Sequence, residues 1–110
     1  MKIKKVINKL ELEVVSGFEG DDKEVKGVYI GDLLSIVMSK AKKNQAWITV
    51  QTHINTVAIA SLVELSCIIV VEGMDIDKDT IEKSNELGIP ILKTNKSAYE
   101  ISSQLYELGI

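Results

Sequence analysis

Three short apolar runs recur at a constant interval in the second half of the chain, and they constrain its fold more than any other feature. Residues 46–50, 67–71 and 89–92 are centred on Trp47, Ile69 and Ile91, so successive centres lie 22 residues apart. Each run is apolar at consecutive positions, the pattern of strands buried on both faces of a parallel sheet. Between and after them, residues 56–65, 79–87 and 98–108 carry apolar positions at helical spacing. A parallel strand pair needs a crossover of about a dozen residues or more, which a helix supplies. The spacing predicts β-α-β-α-β-α with right-handed crossovers: an α/β fold, a small layered sandwich with a mainly parallel sheet flanked by helices.

Residues at the element ends sharpen this outline. Ser97-Ala98-Tyr99-Glu100 has the form of a capping box, in which the Ser hydroxyl and the Glu carboxylate each satisfy an orphan backbone N–H; Asp79-Thr80-Ile81-Glu82 is a less complete version. Both patterns are structural and neither implies catalysis. Gly88 lies just past the second helix, and Pro90 cannot continue it. Upstream, Ile3, Val6, Ile7 and Leu10 predict a helix over 2–10, followed by a short strand over 12–15. Gly17-Phe18-Glu19-Gly20-Asp21-Asp22 reads as an exposed turn or mobile loop. A strand over 25–30 ends at Gly31, and Asp32 stands where a helix N-cap belongs. The helix after it is expected to pack by Leu33, Leu34, Val37, Met38 and Ala41, and to end at Lys42-Lys43-Asn44-Gln45.

The 110 residues make one domain, 1–110, able to bury roughly 65% of its unfolded surface but with few residues left for a catalytic chamber. All 13 basic residues are Lys, against 16 acidic ones. The chain therefore lacks the bidentate fork of Arg and the clustered positive charge that drives nucleic-acid binding. Lys2, Lys4, Lys5 and Lys9 alternate with apolar residues and read as the wet face of the first helix. The single Cys67 has no partner for a disulfide or a CxxC motif and behaves as a small hydrophobe, which fits a reducing compartment. With no signal-like start and no run near the ~20 residues that span a bilayer, a cytoplasmic location without membrane contact is expected.

In an open parallel sheet, ligands bind beyond the carboxyl ends of the strands, which singles out residues 51–55, 72–77 and 93–96. The first loop holds Gln51, Thr52, His53 and Asn55 ahead of a helix whose free N–H groups suit an anion. It reads more simply as a surface turn containing His53, with Asn55 or Thr56 as the cap. Lys93 and Thr94, followed by Asn95 and Lys96, offer a point-charge contact for phosphate or form an ordinary polar loop. The acidic residues of EGMDIDKD lack the order of a calcium loop and read as a solvated lead into a helix N-terminus. No metal-ligand spacing, no nucleophile paired with His53 and no glycine-rich phosphate cradle is present. No cofactor and no catalytic residue is predicted.

Several of these segments resemble the DRTGG domain family: Gly31-Asp32-Leu33-Leu34, residues 46–53, Ile69-Val70-Val71-Glu72-Gly73, and Gly88-Ile89-Pro90-Ile91-Leu92-Lys93-Thr94 with Ser97-Ala98-Tyr99-Glu100. The closing pattern is also similar to the end of the N-terminal domain of HPr kinase/phosphorylase. The resemblance covers nearly the whole chain. It implies an α/β fold and a regulatory or dimer-forming module, often fused to CBS-domain pyrophosphatases or to phosphate acetyltransferases. The eponymous Asp-Arg-Thr-Gly-Gly string is not present, and the corresponding loop, residues 51–55, has neither Arg nor Gly.

Two function classes follow. The first is a non-catalytic regulatory or protein-interaction domain, homodimeric, working beside a separately encoded enzyme or signalling protein. The second is a sensor that holds a nucleotide or other small anion against Gln51, Thr52, His53, Asn55, Lys93 and Thr94. An enzyme using His53 as a general base ranks below both.

Overall fold

The chain folds by burying its apolar runs in a central sheet. The structure, a computed structural model, describes residues 1–20 and 23–110. Its elements are α1 (Ile3–Leu10), β1 (Glu13–Ser16), β2 (Gly27–Ile30), α2 (Leu34–Lys40), β3 (Gln45–Thr49), α3 (Asn55–Val63), β4 (Cys67–Val70), α4 (Lys78–Leu87), β5 (Ile91–Lys93) and α5 (Ala98–Glu107). The sheet order is β1-β5-β4-β3-β2, with β2 to β5 parallel and β1 antiparallel to β5. This is the predicted mainly parallel α/β sandwich. β4 is buried at every position and β3 at all but its first, as their continuous apolar runs require.

Two apolar layers sandwich the sheet. Ile3, Val6 and Leu10 of α1 and Ile101 and Leu105 of α5 pack on Ala46, Ile48, Cys67 and Ile69. On the other face, Val37, Val57 and Ala60 cover Trp47, Ile68, Val70 and Ile91. Three crossovers step one way along the sheet, which under the common right-handed rule puts α2, α3 and α4 on that one face. The exposed Lys2, Lys4, Lys5 and Lys9 form the wet side of α1, as its spacing predicts.

The structure corrects several local readings. Asp32 does not cap α2: the N-cap is Leu33, without a side-chain hydrogen bond. The Asp32 carboxylate instead accepts from Thr49 Oγ1 at 2.7 Å and from the Val50 N–H at 3.0 Å, two donors that only the folded sheet supplies. Of the expected packing stripe on α2, only Val37 is buried; Leu34 and Ala41 are half-buried, and Leu33 and Met38 are 61% and 49% exposed. The helix lies over the sheet edge, where nothing covers its outer half. Neither Asn55 nor Thr56 caps α3 through its side chain, and the Asp79 pattern makes no side-chain cap on α4, whose N-cap is Asp77. The Ser97 capping box forms in full.

The turn after β1 is exposed at Glu19 and Gly20, as expected, but buried at its first residue. Gly17 is buried, its φ is +74°, and its N–H donates to Asn85 Oδ1 at 2.8 Å. Glycine is needed there both for that left-handed backbone and because Ser84 of α4 and Ile89 leave no room for a side chain. Asp21 and Asp22 lie outside the described residues. Finally, β5 begins at Ile91, two residues later than the apolar run, and extends to Lys93 through its pairing with Glu13.

Candidate functional site

Parallel register brings the loops after β2, β3, β4 and β5 to one crest, where α/β proteins of this type bind ligands. Gln51, Thr52, His53 and Asn55 stand beyond β3, and Lys93 and Thr94 stand at the end of β5. β4 lies between them, so the two groups are about 10 Å apart at ordinary strand spacing. Lys93 and Thr94 join Asn95 and Lys96 in lining a cavity of about 270 Å³, together with Leu10, Glu11 and Glu13 from the α1–β1 junction. None of the β3-loop residues lines it. Two carboxylates facing two lysines leave that cavity with no net charge for an anion.

Most polar groups of the crest hold its loops to one another. Asp32 ties the β2 loop to the β3 loop, and Gln51 Nε2 returns a bond to the Asp32 carbonyl at 2.9 Å. The buried Thr80 hydroxyl donates to the Thr52 carbonyl at 2.7 Å, locking the β3 loop to α4. The N–H groups of Glu72 and Gly73 donate to the carbonyls of Lys96 and Thr94, both at 2.9 Å, which joins the β4 and β5 loops. Thr94 Oγ1 accepts from the Lys96 N–H at 3.2 Å, and Lys93 Nζ contacts the exposed Asp75 carboxylate at 3.1 Å.

His53 takes over the work expected of a cap. Its Nδ1 accepts from the Asn55 N–H at 3.1 Å, while its carbonyl accepts from Thr56 Oγ1 at 2.8 Å. In the neutral imidazole the proton then sits on Nε2. The lone pair a general base would use is committed to the helix N-terminus, and that geometry argues against acid–base chemistry here. Among the described residues no group of three or more His, Cys, Asp or Glu is arranged to hold a metal ion. Cys67 is buried at the start of β4, and burial pushes its thiol up to about 12, far from a nucleophile's range.

Asp32 is the crest residue that sequence reasoning misplaced. An Asp two residues before a helix start carries the same local signal whether it caps that helix or reaches across to the next strand. Its partners lie 17 and 18 residues away.

The family model of the DRTGG domain matches residues 5–108. The chain belongs to the DRTGG domain family. A comparison with curated proteins finds no match. Among solved structures, this DRTGG domain is similar to the CBS and DRTGG domains of the regulatory region of Clostridium perfringens pyrophosphatase, complexed with the activator diadenosine tetraphosphate. The TM-score is 0.75 at 16% identity, over 94% of this chain and 45% of that one. At that identity the likeness establishes the fold, and this chain spans less than half of that structure's length. The structure it resembles is that of the regulatory region of an enzyme. No helix among the described residues is long and apolar enough to cross a membrane.

Proposed function

We propose that this DRTGG domain is a non-catalytic regulatory and protein-interaction module, homodimeric and cytoplasmic, acting beside a separately encoded enzyme or signalling protein. The observation that carries the reading is the destination of the crest's hydrogen bonds. Asp32, Gln51 and Thr80 spend their polar groups on joining the crest's loops and α4, and His53 spends its Nδ1 on the N-terminus of α3, so the position where α/β enzymes keep their chemistry is built here as a brace. Affinity capture of the native protein, with identification of what co-elutes, tests this. A stoichiometric second copy together with an enzyme or signalling protein is expected. A monomer that retains nothing contradicts the reading.

The pyrophosphatase region's complex with diadenosine tetraphosphate favours a second reading, in which the crest senses a nucleotide or other small anion. Here His53 Nε2, the Asn55 side chain and the Lys93 ammonium would make the contacts, with Gln51, Thr52 and Thr94 shaping the loops behind them. A ligand present at about 100 times its dissociation constant stabilises the fold by about 2.7 kcal/mol. A thermal-shift series with diadenosine tetraphosphate, mononucleotides and acetyl phosphate would register that gain. The sensor reading requires the shift to shrink in His53→Ala and Lys93→Ala, and no shift with any compound removes it.

A further inference from the structure

The cavity of about 270 Å³ beside β5 has walls of opposite charge, Glu11 and Glu13 from the α1–β1 junction and Lys93 and Lys96 from the end of β5. No ion pair among the described residues joins the two walls. Glu13 stands directly opposite Lys93 in the antiparallel β1–β5 ladder, where opposite charges ordinarily pair. Lys93 Nζ turns instead to the exposed Asp75 carboxylate at 3.1 Å. Glu11 is the C-cap of α1, in a left-handed backbone with φ 53°. Glycine is the usual residue at such a cap, and the helix dipole disfavours a carboxylate there. Neither carboxylate accepts a hydrogen bond or ion pair from the described residues. On the other wall, Thr94 is only 9% exposed. Its Oγ1 accepts from the Lys96 N–H at 3.2 Å, but its hydroxyl proton has no acceptor among the described residues. A buried hydroxyl normally donates as well as accepts. Lys96 Nζ meets only Gln104 Oε1, at 3.5 Å.

The geometry points to a binding site for a small zwitterion, a free α-amino acid. Its carboxylate would take the Thr94 hydroxyl and the Lys96 ammonium, and its ammonium would face Glu11 and Glu13. Charge selects this class. A phosphate or nucleotide brings negative charge against two carboxylates, and a simple amine meets two ammonium groups. A molecule that carries both charges matches both walls and supplies the acceptor that Thr94 lacks. Size selects it too: at ~30 Å³ for each water of the liquid, the cavity has room for about nine non-hydrogen atoms. That is the scale of an amino acid and well short of a nucleotide. Leu10 lends the cavity an apolar patch for the side chain. The inference shares Lys93 and Thr94 with the sensor reading but does not rest on it, since none of the β3-loop residues lines this cavity.

NMR titration of the full chain with each protein amino acid in turn, and with acetate, methylammonium and inorganic phosphate, decides the matter. At least one amino acid should move the Glu13, Thr94 and Lys96 amide signals to saturation, and none of the three singly charged compounds should. Glu13 is exposed and Lys96 half-buried, so Glu13→Gln and Lys96→Gln should stay folded, which their spectra report directly. Each should weaken amino-acid binding about tenfold or more, since each removes a charge that the ligand meets. Glu86→Gln, an equal charge change on α4 outside the cavity, should bind as the wild type does. Unmoved signals with every amino acid overturn the inference. So does saturation by acetate, methylammonium or phosphate alone, or undiminished binding by both cavity variants. The nucleotide series is scored separately, so the sensor reading stands or falls without this site.

Discussion

At the scale of single residues, the tightest point lies where the β1 turn meets α4. A side chain at Gly17 would place its Cβ 2.0 Å from the Ile89 carbonyl oxygen and 2.5 Å from Ser84 Oγ. Those are the atoms of a buried relay: Ser84 Oγ donates to the Ile89 carbonyl at 2.7 Å and lies 2.8 Å from Ser16 Oγ. Gly17→Ala should therefore cost about 3–5 kcal/mol, from backbone strain in the left-handed region together with overpacking. Gly88 has a similar φ of +66° but open space around it, so Gly88→Ala should cost only about 1–2 kcal/mol. Urea denaturation of the two variants checks the contrast; equal losses would mean that contact adds nothing to conformation. Cys67 gives a second residue-scale test. With its thiol pushed up to about 12 by burial, it should resist a thiol reagent at pH 8 in the native protein and react at once in denaturant. Rapid native labelling would mean that the sheet opens far more readily than its packing implies.

At the scale of elements, helix ends separate what is legible locally from what is not. The Ser97 box is complete within four residues: Ser97 Oγ accepts from the Glu100 N–H at 3.2 Å, and the Ser97 N–H donates to Glu100 Oε1 at 3.2 Å. Ser97→Ala should lose about 1 kcal/mol. Asp79 makes no cap and acts only on the helix dipole, so Asp79→Ala should lose about 0.3–1 kcal/mol. Thermal melts that reverse this order would contradict the assignment of the two N-termini. Strands β3 and β4 are readable because burial on both faces leaves a continuous apolar run. The extension of β5 to Lys93 and the role of Asp32 depend on partners far along the chain, and no local pattern carries them. The apolar stripe of α2 illustrates a different limit. Periodicity identifies which residues are apolar, but only the assembled layers reveal that Met38 and Leu33 face outward.

At the scale of the whole molecule, the crest is tied together by its own hydrogen bonds, while Met38 of α2 and Leu62 of α3 stay exposed. The six residues singled out for ligand contact do lie at the carboxyl ends of parallel strands, as the strand spacing implies. They form two groups on either side of β4, and their bonds mostly brace loops. Asp32→Ala should loosen that brace, leaving the Val50 N–H and the Thr49 hydroxyl without their acceptor, at about 1–3 kcal/mol by urea denaturation. Retention of full stability would mean that the crest is not held together through Asp32. The domain also presents exposed apolar residues, Leu33, Met38 and Leu62 among them, and association is the property that the proposed reading ascribes to it. Sedimentation equilibrium of the unmodified chain over a range of concentrations measures that property directly. The account predicts a mass of twice 12.1 kDa, falling toward the monomer only on dilution; a mass of 12.1 kDa at every concentration would contradict it.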